Sequence, residues 1–414
     1  MEEEQELMQP GFSMDPDAIV GPLQGVRVLD LTSVIVGPFA TQLLADMGAD
    51  VTKVEPPEGD VMRHVPPMRS NGMGHLFLHM NRNKRSIMLD LKTDAGKQAL
   101  FRLIEPSDVL TCNMRPQALK ALGLDYDAVS KANPKIIYAT VAGYGQTGPK
   151  AHQPAYDDLI QGAVAVPSLA AAGGSELRYA PLTLADRTVA LNFAMAICAC
   201  LVHRERTGRG QQLTIPMFES MAQFVLSDHM GGATFDPPIG ATTYTRLLSK
   251  NRRPYRTRDG YVCALIYNDK QWRSFCRVTG QTLLLDDRRF SDQQSRAENI
   301  DVFYGIISDI LATRSTREWL ELFDSADIPA GELHTPASLI EDAHLQATNF
   351  FETFEHPTEG RLRMMRPPMD WSGGALRIRR LPPTLGADGN LVLREAGYTH
   401  EQIAEMVEAG ATRC

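Results

Sequence analysis

The sequence predicts an α/β protein built on a parallel sheet that helices cover on both faces. The first observation is that strand-like and helix-like segments alternate through the first half of the chain. The second is length, because a chain of 414 residues can bury a large core and suggests two or three domains. The third is composition, since 43% hydrophobic and 22% charged residues exclude a disordered, collagen-like or small disulfide-bonded chain.

The alternation begins with a buried strand over Val26–Leu31, a loop over Thr32–Gly37, and a helix that Pro38 opens and Gly48 ends. The same rhythm continues with strands Asp50–Glu55, Ser86–Leu91, Asp108–Asn113 and Lys135–Val141 and helices Asp94–Ile104 and Pro116–Leu122. Ligands of such sheets bind beyond the carboxyl ends of the strands, so a site is expected at that edge.

The second half changes character. A long helix of small residues is predicted over Asp186–Arg206, followed by a short strand over Leu213–Ile215 and then a Gly/Pro-rich and basic stretch. A further strand, Tyr261–Ile266, precedes several helical segments. We predict a leader over residues 1–20, a large domain over 21–224, a small domain over 225–330, and a linker with a return to the large domain over 331–414.

Charge and targeting signals narrow the class of protein. The formal net charge of −8 is unfavourable for a general nucleic-acid binder. The longest apolar stretch, Val189–Val202, is interrupted by Asn192 and is too short to predict a membrane span. The acidic start, Met1–Glu6, is unlike a secretory signal. The six cysteines form no CxxC pair, which predicts reduced thiols in a cytoplasmic protein and no metal site.

Common nucleotide-binding and hydrolase motifs are missing from the sequence. The loop Val34–Pro38 follows the first strand, where a dinucleotide would bind, but it lacks the GxGxxG fingerprint. Neither GxxxxGK[ST] nor GxSxG occurs. The basic run Asn81–Ile87 has two interpretations: a solvated turn, or a phosphate site in which Arg and Lys bind the anion.

Asp186 is the first candidate for chemistry. It follows the extended segment Pro181–Ala185 and stands at the start of the predicted long helix. One interpretation is an ordinary N-cap, a position that Asp favours. The other is a carboxylate that the helix dipole keeps ionised and that attacks an acyl carbonyl to form a covalent intermediate. Tyr156 and Asp157, upstream of it, are interpreted either as a solvent-facing helix start or as part of the same site.

A series of short segments carries a family resemblance. In chain order they are Leu23–Thr32, Gly37–Pro38, Leu43–Val51, Lys53–Glu55, Gly59–Asp60, Asn83–Ile87, Leu89–Lys92, Asp108–Val109, Asn113, Arg115–Pro116, Gly143–Pro149, Tyr156–Asp157, Asp186 and Thr207–Gln211. Each is short, but their order and spacing are specific. Together, over residues 22–400, they resemble the family III CoA-transferases, also called the CaiB/BaiF family.

The resemblance implies roles for particular residues. It implies that Asp186 is the nucleophile, that Tyr156 belongs to the same site, and that Asp157 orients the site from behind. It also implies that coenzyme A is bound by residues from several loops, namely Val34, Ile35, Val36, Leu89, Lys92, Asn113, Met114, Arg115 and Met217.

The resemblance further implies a Rossmann-like large domain formed by the N- and C-terminal parts, a smaller α+β domain, and an interlocked homodimer. The implied reaction transfers coenzyme A from an acyl-CoA to a carboxylic acid through an aspartyl-CoA thioester. Acyl-CoA is then a substrate, and no metal or permanently bound cofactor is required. The alternative is an α-methylacyl-CoA racemase of the same fold. Tyr156 stands where that branch has histidine, which favours transfer.

Two departures from formyl-CoA transferase bear on the acceptor. Ile35 replaces a glutamine, and only Gly231–Gly232 or Gly240 can stand for its glycine run, so oxalate is not the expected acceptor. A basic run in the small domain is the best indication of a different acceptor. Its members are Arg246, Arg252, Arg253 and Arg256. They are interpreted either as surface charge and subunit contacts or as the site for the second carboxylate of a dicarboxylate such as succinate, itaconate or mesaconate.

Overall fold

The computed structural model of the protein describes residues 21–372 and 374–413. The leader predicted over residues 1–20, and Cys414, lie outside these residues. Over the described ranges the strands are β1 (Arg27–Leu31), β2 (Asp50–Glu55), β3 (Lys84–Leu89), β4 (Val109–Cys112), β5 (Ile137–Ala142), β6 (Gln211–Pro216), β7 (Tyr255–Arg256), β8 (Tyr261–Ala264), β9 (Ala330–Glu332), β10 (Phe351–His356), β11 (Gly360–Met365) and β12 (Thr412–Arg413).

Helices join most of these strands. They are α1 (Val36–Asp46), α2 (His75–Met80), α3 (Asp94–Ile104), α4 (Pro116–Leu122), α5 (Tyr126–Ala132), α6 (Asp157–Ala163), α7 (Val166–Ala172), α8 (Leu184–Thr207), α9 (Met217–His229), α10 (Asp269–Val278), α11 (Gln293–Glu298), α12 (Ile300–Leu311), α13 (Thr316–Ser325), α14 (Pro336–Ile340), α15 (Ala343–Ala347), α16 (Gly389–Glu395) and α17 (His400–Glu408). Short 3₁₀ helices occur at Val61–His64, Gly231–Thr234, Thr282–Asp286 and Arg288–Phe290.

The central sheet has seven strands in the order β12-β3-β2-β1-β4-β5-β6. All neighbours are parallel except β12, which pairs antiparallel with β3. The prediction of a large parallel sheet is therefore confirmed. The strand order reverses direction between β1 and β4, and in open α/β sheets this switch point is where a crevice forms at the carboxyl ends of the strands.

The chain divides into two compact units. The large unit runs to Asp157 and includes Thr183–Ser220 and the segment from Ala347 onward. It contains the seven-stranded sheet and the β10-β11 hairpin, and the apolar faces of β1, β3 and β4 pack against helices α3 and α17 in one core. Both ends of the described chain contribute to this unit, because β12 completes the edge of the sheet beside β3.

The small unit consists of Asp158–Leu182 and Met221–Gln346. Its three-stranded antiparallel sheet, β7-β8-β9, belongs to a unit whose core is aromatic, with Trp272, Phe275 and Phe303 among the buried rings. The small domain predicted over 225–330 lies inside this unit. The unit also takes in residues 158–182 and 331–346, because these segments pack with it although the long helix α8 separates the first of them from the rest in sequence.

Helix α8 is the longest helix of the described residues and contacts α1. By length and composition alone it could cross a membrane, but half of its most apolar window is buried inside the protein. A core helix has the same features, so α8 is weak evidence for a membrane span. The structure corrects its predicted start by two residues, because the helix begins at Leu184 with Thr183 as N-cap.

Candidate active site

A cavity of about 400 Å³ opens at the carboxyl ends of β1, β4 and β5. It lies at the switch point of the sheet and is lined entirely by residues of the large unit. Its walls come from the loops over residues 33–36, 113–117 and 140–143, from residues 151–156, and from Asp186 and Met217. The segments therefore meet at the edge where the alternating pattern predicts a ligand.

Asp186 lines the cavity from the first turn of α8 and is only 8% exposed. It does not cap the helix, because Thr183 occupies the N-cap position without a capping side-chain bond. The interpretation of Asp186 as an ordinary N-cap is therefore wrong. Its backbone N–H donates to Oδ1 of Asp157 at 2.9 Å, which fixes the start of α8 against the residue that follows Tyr156.

The charge state of Asp186 differs from the expectation of a carboxylate held ionised by the helix dipole. Burial, and to a lesser extent the neighbouring Asp157 carboxylate, raise its pKa from 3.8 to about 7. Arg187 acts in the opposite direction, but its guanidinium stacks on the Phe39 ring at 4.4 Å. Near neutral pH the Asp186 carboxyl therefore exists in both protonation states, as catalytic carboxyls often do.

Nine of the predicted site residues meet in the cavity. They are Val34, Ile35, Val36, Asn113, Met114, Arg115, Tyr156, Asp186 and Met217. Asn113 also fixes the loop after β1, since its side-chain amide donates to the Ser33 carbonyl at 2.8 Å and its oxygen accepts from the Ser33 N–H at 3.1 Å. Tyr156 also lines the cavity and is 66% exposed.

Three predicted residues do not line this cavity. Leu89 is 1% exposed and packs in the core of the large unit, because β3 is paired on both sides by β2 and β12. Lys92 is exposed beyond the end of β3. Asp157 does not line the cavity, and its Oδ1 accepts the hydrogen bond from the Asp186 N–H.

The basic run Asn81–Ile87 is neither a solvated turn nor a phosphate site. Arg82 is 4% exposed and pairs with Asp46 at 2.7 Å, while the Lys84 ammonium contacts Oδ2 of Asp30 at 3.1 Å. Both cations form ion pairs with carboxylates of another helix or strand and are buried inside the large unit. Together with the pairs Lys53–Asp60 and Arg63–Glu55 they form what we call the buried ion-pair network.

Several lining residues were missed by the sequence analysis. The most informative are Gln117 and His152, whose side chains contact each other at 2.8 Å between Nε2 and Nδ1. Thr140 and Gly143 line the cavity at the end of β5. The end of a predicted strand was the available signal for these two, whereas nothing in the local pattern pairs Gln117 with His152.

Comparison with known proteins identifies the class. The model of CoA-transferase family III matches residues 23–389. The succinate–glutarate CoA-transferase of Agrobacterium fabrum is 32% identical over 90% of this chain and 95% of its own. The succinyl-CoA:mesaconate CoA-transferase of Haloarcula hispanica is 31% identical over 82% and 87%. The crystal structure of a CaiB/BaiF family protein from Brucella suis has a TM-score of 0.76 at 28% identity, covering 91% of this chain and 99% of its own.

The chain belongs to CoA-transferase family III. The resemblance inferred from the ordered motifs is thus confirmed, as is the expectation of a mixed α/β fold with a large parallel sheet. Acyl-CoA thioesters are the substrates of such transferases, so the question for this enzyme is which groups bind and attack the thioester.

Metal ligands and thiols are two other kinds of group that can take part in such a site. Among the described residues no cluster of three or more His, Cys, Asp or Glu could hold a metal ion. The described cysteines Cys112, Cys198, Cys200, Cys263 and Cys276 are all unpaired. Burial raises the pKa of the Cys112 thiol to about 12, so this thiol is not the reactive form of a nucleophile.

Proposed function

We propose that this transferase moves coenzyme A from an acyl-CoA donor to a dicarboxylic acid through an aspartyl-CoA thioester on Asp186. The observation that carries the proposal is a single buried carboxyl in a cavity at the switch point, near residues with which the family resemblance associates coenzyme A. Among the described residues no ammonium or guanidinium forms an ion pair with Asp186. Its oxygens are therefore available for attack on a thioester.

The first half of the reaction loads the enzyme. An Asp186 oxygen attacks the thioester carbonyl, the C–S bond breaks, and coenzyme A leaves as a thiolate while the acyl group forms a mixed anhydride with Asp186. The thiolate then attacks the aspartyl carbonyl, and the donor leaves as a carboxylate. The product is an aspartyl-CoA thioester, and no proton is gained or lost in the sequence.

The second half reverses these steps with the acceptor. The acceptor carboxylate attacks the aspartyl thioester and releases the thiolate, which attacks the acceptor carbonyl of the new anhydride and regenerates the Asp186 carboxylate. Each step exchanges one activated acyl bond for another, so the main demand is stabilisation of oxyanions by preorganised donors. The backbone N–H groups at the start of α1, whose N-cap Ile35 makes no side-chain capping bond, are candidates for this task.

A dicarboxylate acceptor is supported by the names of two relatives. The relatives from Agrobacterium fabrum and Haloarcula hispanica are named for succinate, glutarate and mesaconate. In the small unit, the Arg246 Nε donates to the Tyr304 hydroxyl at 3.0 Å and its guanidinium lies 5.1 Å from the Tyr267 ring centroid. This arginine is held in place by aromatic groups, and its binding of a second carboxylate stays a prediction made from the basic run. The other members of the basic run, Arg252, Arg253 and Arg256, are exposed.

A homodimer is also part of the proposal. Leu191, Met195 and Val202 form an exposed apolar stripe along α8, at 54%, 67% and 50% exposure. Such a stripe is typical of a surface that another protein covers, and the family resemblance implies a second copy. Sedimentation equilibrium tests this directly, because a monomer at micromolar concentration contradicts it. Met195→Lys should weaken the dimer, whereas Glu205→Lys, a charge change at an exposed polar position of the same helix, should leave it intact.

The covalent intermediate provides the decisive test of the reaction. After incubation with succinyl-CoA, the protein is quenched with hydroxylamine, digested and examined by mass spectrometry. We expect a hydroxamate on the peptide that contains Asp186, and none in Asp186→Asn, which should still bind coenzyme A. Turnover without any adduct, or an adduct on another carboxyl, contradicts the proposal.

The racemase alternative makes a different prediction. An epimerase exchanges the α-proton of an acyl-CoA with solvent and transfers no coenzyme A. Deuterium incorporation at the α carbon in D₂O without formation of a second thioester would favour it over transfer.

The acceptor is defined by a separate assay with succinyl-CoA as donor and a panel of monocarboxylates and dicarboxylates. We expect Arg246→Met to raise KM for dicarboxylates and to leave monocarboxylates unaffected.

A further inference from the structure

The loop that lines the cavity after β1 contains a residue in an unfavourable backbone conformation. Val34 has φ of +71°, in the left-handed region that L residues with a branched Cβ rarely occupy. Such a residue persists only where the surrounding structure holds it, and residues of this kind cluster at ligand-binding sites. Val34 is a lining residue of the cavity beside Asp186, so the groups that hold it bear on binding.

The buried carboxylate of Asp60 holds the loop at Val34 by a hydrogen bond. Oδ1 of Asp60 accepts a hydrogen bond from the Val34 N–H at 3.2 Å and another from the Met62 N–H at 3.0 Å. The second oxygen, Oδ2, pairs with the Lys53 ammonium at 2.9 Å. Asp60 therefore links the Val34 backbone to strand β2 and to the short helix that begins at Val61.

Lys53 holds the other side of the same turn. Its ammonium donates to the Thr32 carbonyl at 2.8 Å, two residues before Val34. The side chains of Lys53 and Asp60 are 0% and 1% exposed, so the pair is shielded from water and salt. Although burial lowers the pKa of Lys53, the charges of Asp60, Asp30 and Glu55 raise it above its ordinary value overall, so Lys53 carries its positive charge at neutral pH.

We infer that Asp60, held by Lys53, is a positioning residue for acyl-CoA binding, because it keeps the loop Thr32–Val36 in the left-handed turn that shapes the cavity wall. The inference rests on the proposed function in one respect, namely that acyl-CoA occupies this cavity. Asp60 itself does not line the cavity and acts through Val34. If the hydrogen bond between Asp60 and Val34 is weakened, a smaller fraction of molecules has the loop in its binding conformation. The apparent affinity for acyl-CoA falls in proportion to that fraction.

The test combines Asp60→Asn with two substitutions at Val34. Glycine adopts a positive φ without cost, whereas alanine retains the penalty of an L residue, and both remove the two γ-methyl groups of Val34. The affinity for coenzyme A itself is measured by titration calorimetry, and KM for succinyl-CoA and kcat are measured alongside. In the otherwise unchanged enzyme, Val34→Gly and Val34→Ala should bind coenzyme A equally, because Asp60 already fixes the turn.

In the Asp60→Asn background the two should differ. We expect Asp60→Asn to weaken coenzyme A binding by about tenfold or more, and Val34→Gly in that background to bind about fivefold to tenfold more tightly than Val34→Ala, as the penalty of a left-handed L residue predicts. KM should follow the affinity, while kcat at saturating thioester should change less. A role in folding alone would lower the melting temperature without this rescue of binding by glycine.

Two outcomes overturn the inference: a folded Asp60→Asn enzyme that binds coenzyme A like the parent, or equal binding by the glycine and alanine variants in its background. Should Asp60→Asn fail to fold, Asp60→Glu takes its place in the same comparison, because it keeps a charged partner for Lys53 while it displaces the oxygen that holds the Val34 N–H. Failure of the parent enzyme itself to bind coenzyme A would instead contradict the proposed function, so the two failures are distinguishable.

Discussion

Two buried carboxylates of the large unit, Asp30 and Asp186, have opposite electrostatic environments. Burial acts to raise the pKa of Asp30, but the Lys84 and Lys53 ammoniums, with hydroxyl bonds from Thr32 and Thr41, bring it far below its usual value. The pKa of Asp186 is raised to about 7 by burial and by Asp157, with only Arg187 in opposition. Burial alone therefore does not decide the charge of a carboxyl group, whereas the supply of counter-charges does.

The different surroundings of Asp30 and Asp186 correspond to a structural role for the first and a reactive role for the second. Asp30 is at the end of β1, and its register places it beside Lys53 of β2 and Thr111 of β4, so the sheet itself supplies its partners. Asp186 comes from the first turn of a helix and faces a cavity. A carboxylate with all its lone pairs engaged stabilises the fold, while one that lacks an ion pair can form a bond to a substrate.

The largest expected effect of a single substitution is at Asp186. Asp186→Asn should lower the rate of coenzyme A transfer by on the order of a thousandfold or more, because it removes the attacking oxygen. The same variant should also be more stable than the parent at pH 8, with a free energy of unfolding that is higher by on the order of 2–4 kcal/mol. Steady-state assays and urea titrations at two pH values measure both effects.

The sign of the stability change follows from the raised pKa. Below the unfolded-state value of 3.8 the carboxyl is protonated in both states and carries no penalty. As pH rises from 3.8 towards about 7, Asp186 ionises in the unfolded chain before it ionises in the folded protein. Ionisation of the unfolded chain lowers the free energy of unfolding, and this loss is complete above about pH 7. The advantage of Asp186→Asn should therefore vanish near pH 4. Equal stability of variant and parent at pH 8 would mean that the Asp186 carboxylate is not destabilised by its surroundings.

Breaking the buried ion-pair network should have the opposite effect on stability. Asp30→Asn should destabilise the protein by about 3–5 kcal/mol, because it leaves the Lys84 ammonium buried with a weakened partner. Removing both charges in Asp30→Asn/Lys84→Met should cost less than the single change. Urea unfolding at pH 7 measures the difference. A double variant that is less stable than Asp30→Asn contradicts the view that unpaired buried charge is the cause.

The smallest expected effect is a shift of the pH profile. The rate of acylation should rise about tenfold per pH unit below the pKa of about 7 for Asp186 and level off above it, because only the ionised carboxyl attacks. Asp157→Asn removes a like charge and should move this limb to lower pH. Arg187→Met removes the opposing cation and should move it to higher pH. Each shift is expected to be about one pH unit or less.

Single-turnover rates with succinyl-CoA over pH 5–9 provide the measurement. The two variants control for each other, since both alter a neighbour of Asp186 and only the sign of the removed charge differs. Shifts in the same direction, or no shift in either variant, would show that the limb belongs to another group.

Some features could be predicted from the sequence for physical reasons. The alternation of buried strands and helices is a local pattern, and the predicted strands β1 to β5 all occur within the central sheet. The place of Asp186 at a helix start follows from the extended segment before it. Its neighbours in the cavity were available only through the ordered motifs of the family, because the loops after β1 and β4 are far apart in sequence.

Other features depend on contacts that no local pattern encodes. The basic run at Asn81–Ile87 was expected to be a turn in solvent or a phosphate site, since its partners Asp46 and Asp30 stand far upstream. Residues 158–182 belong with the small unit although they precede α8. The left-handed conformation of Val34 is held by Asp60, a residue whose link to it appears only when β1 and β2 are side by side.

The sequence by itself determined the fold class, the carboxyl ends of the strands as the place of the site, and, through its motifs, the family and the expected nucleophile. The tertiary structure decided which charges are engaged and which remain available to a substrate. The physical reason is that the ionisation of a carboxyl group depends on its depth of burial and on its distance from other charges, and both are fixed only when distant segments of the chain pack together.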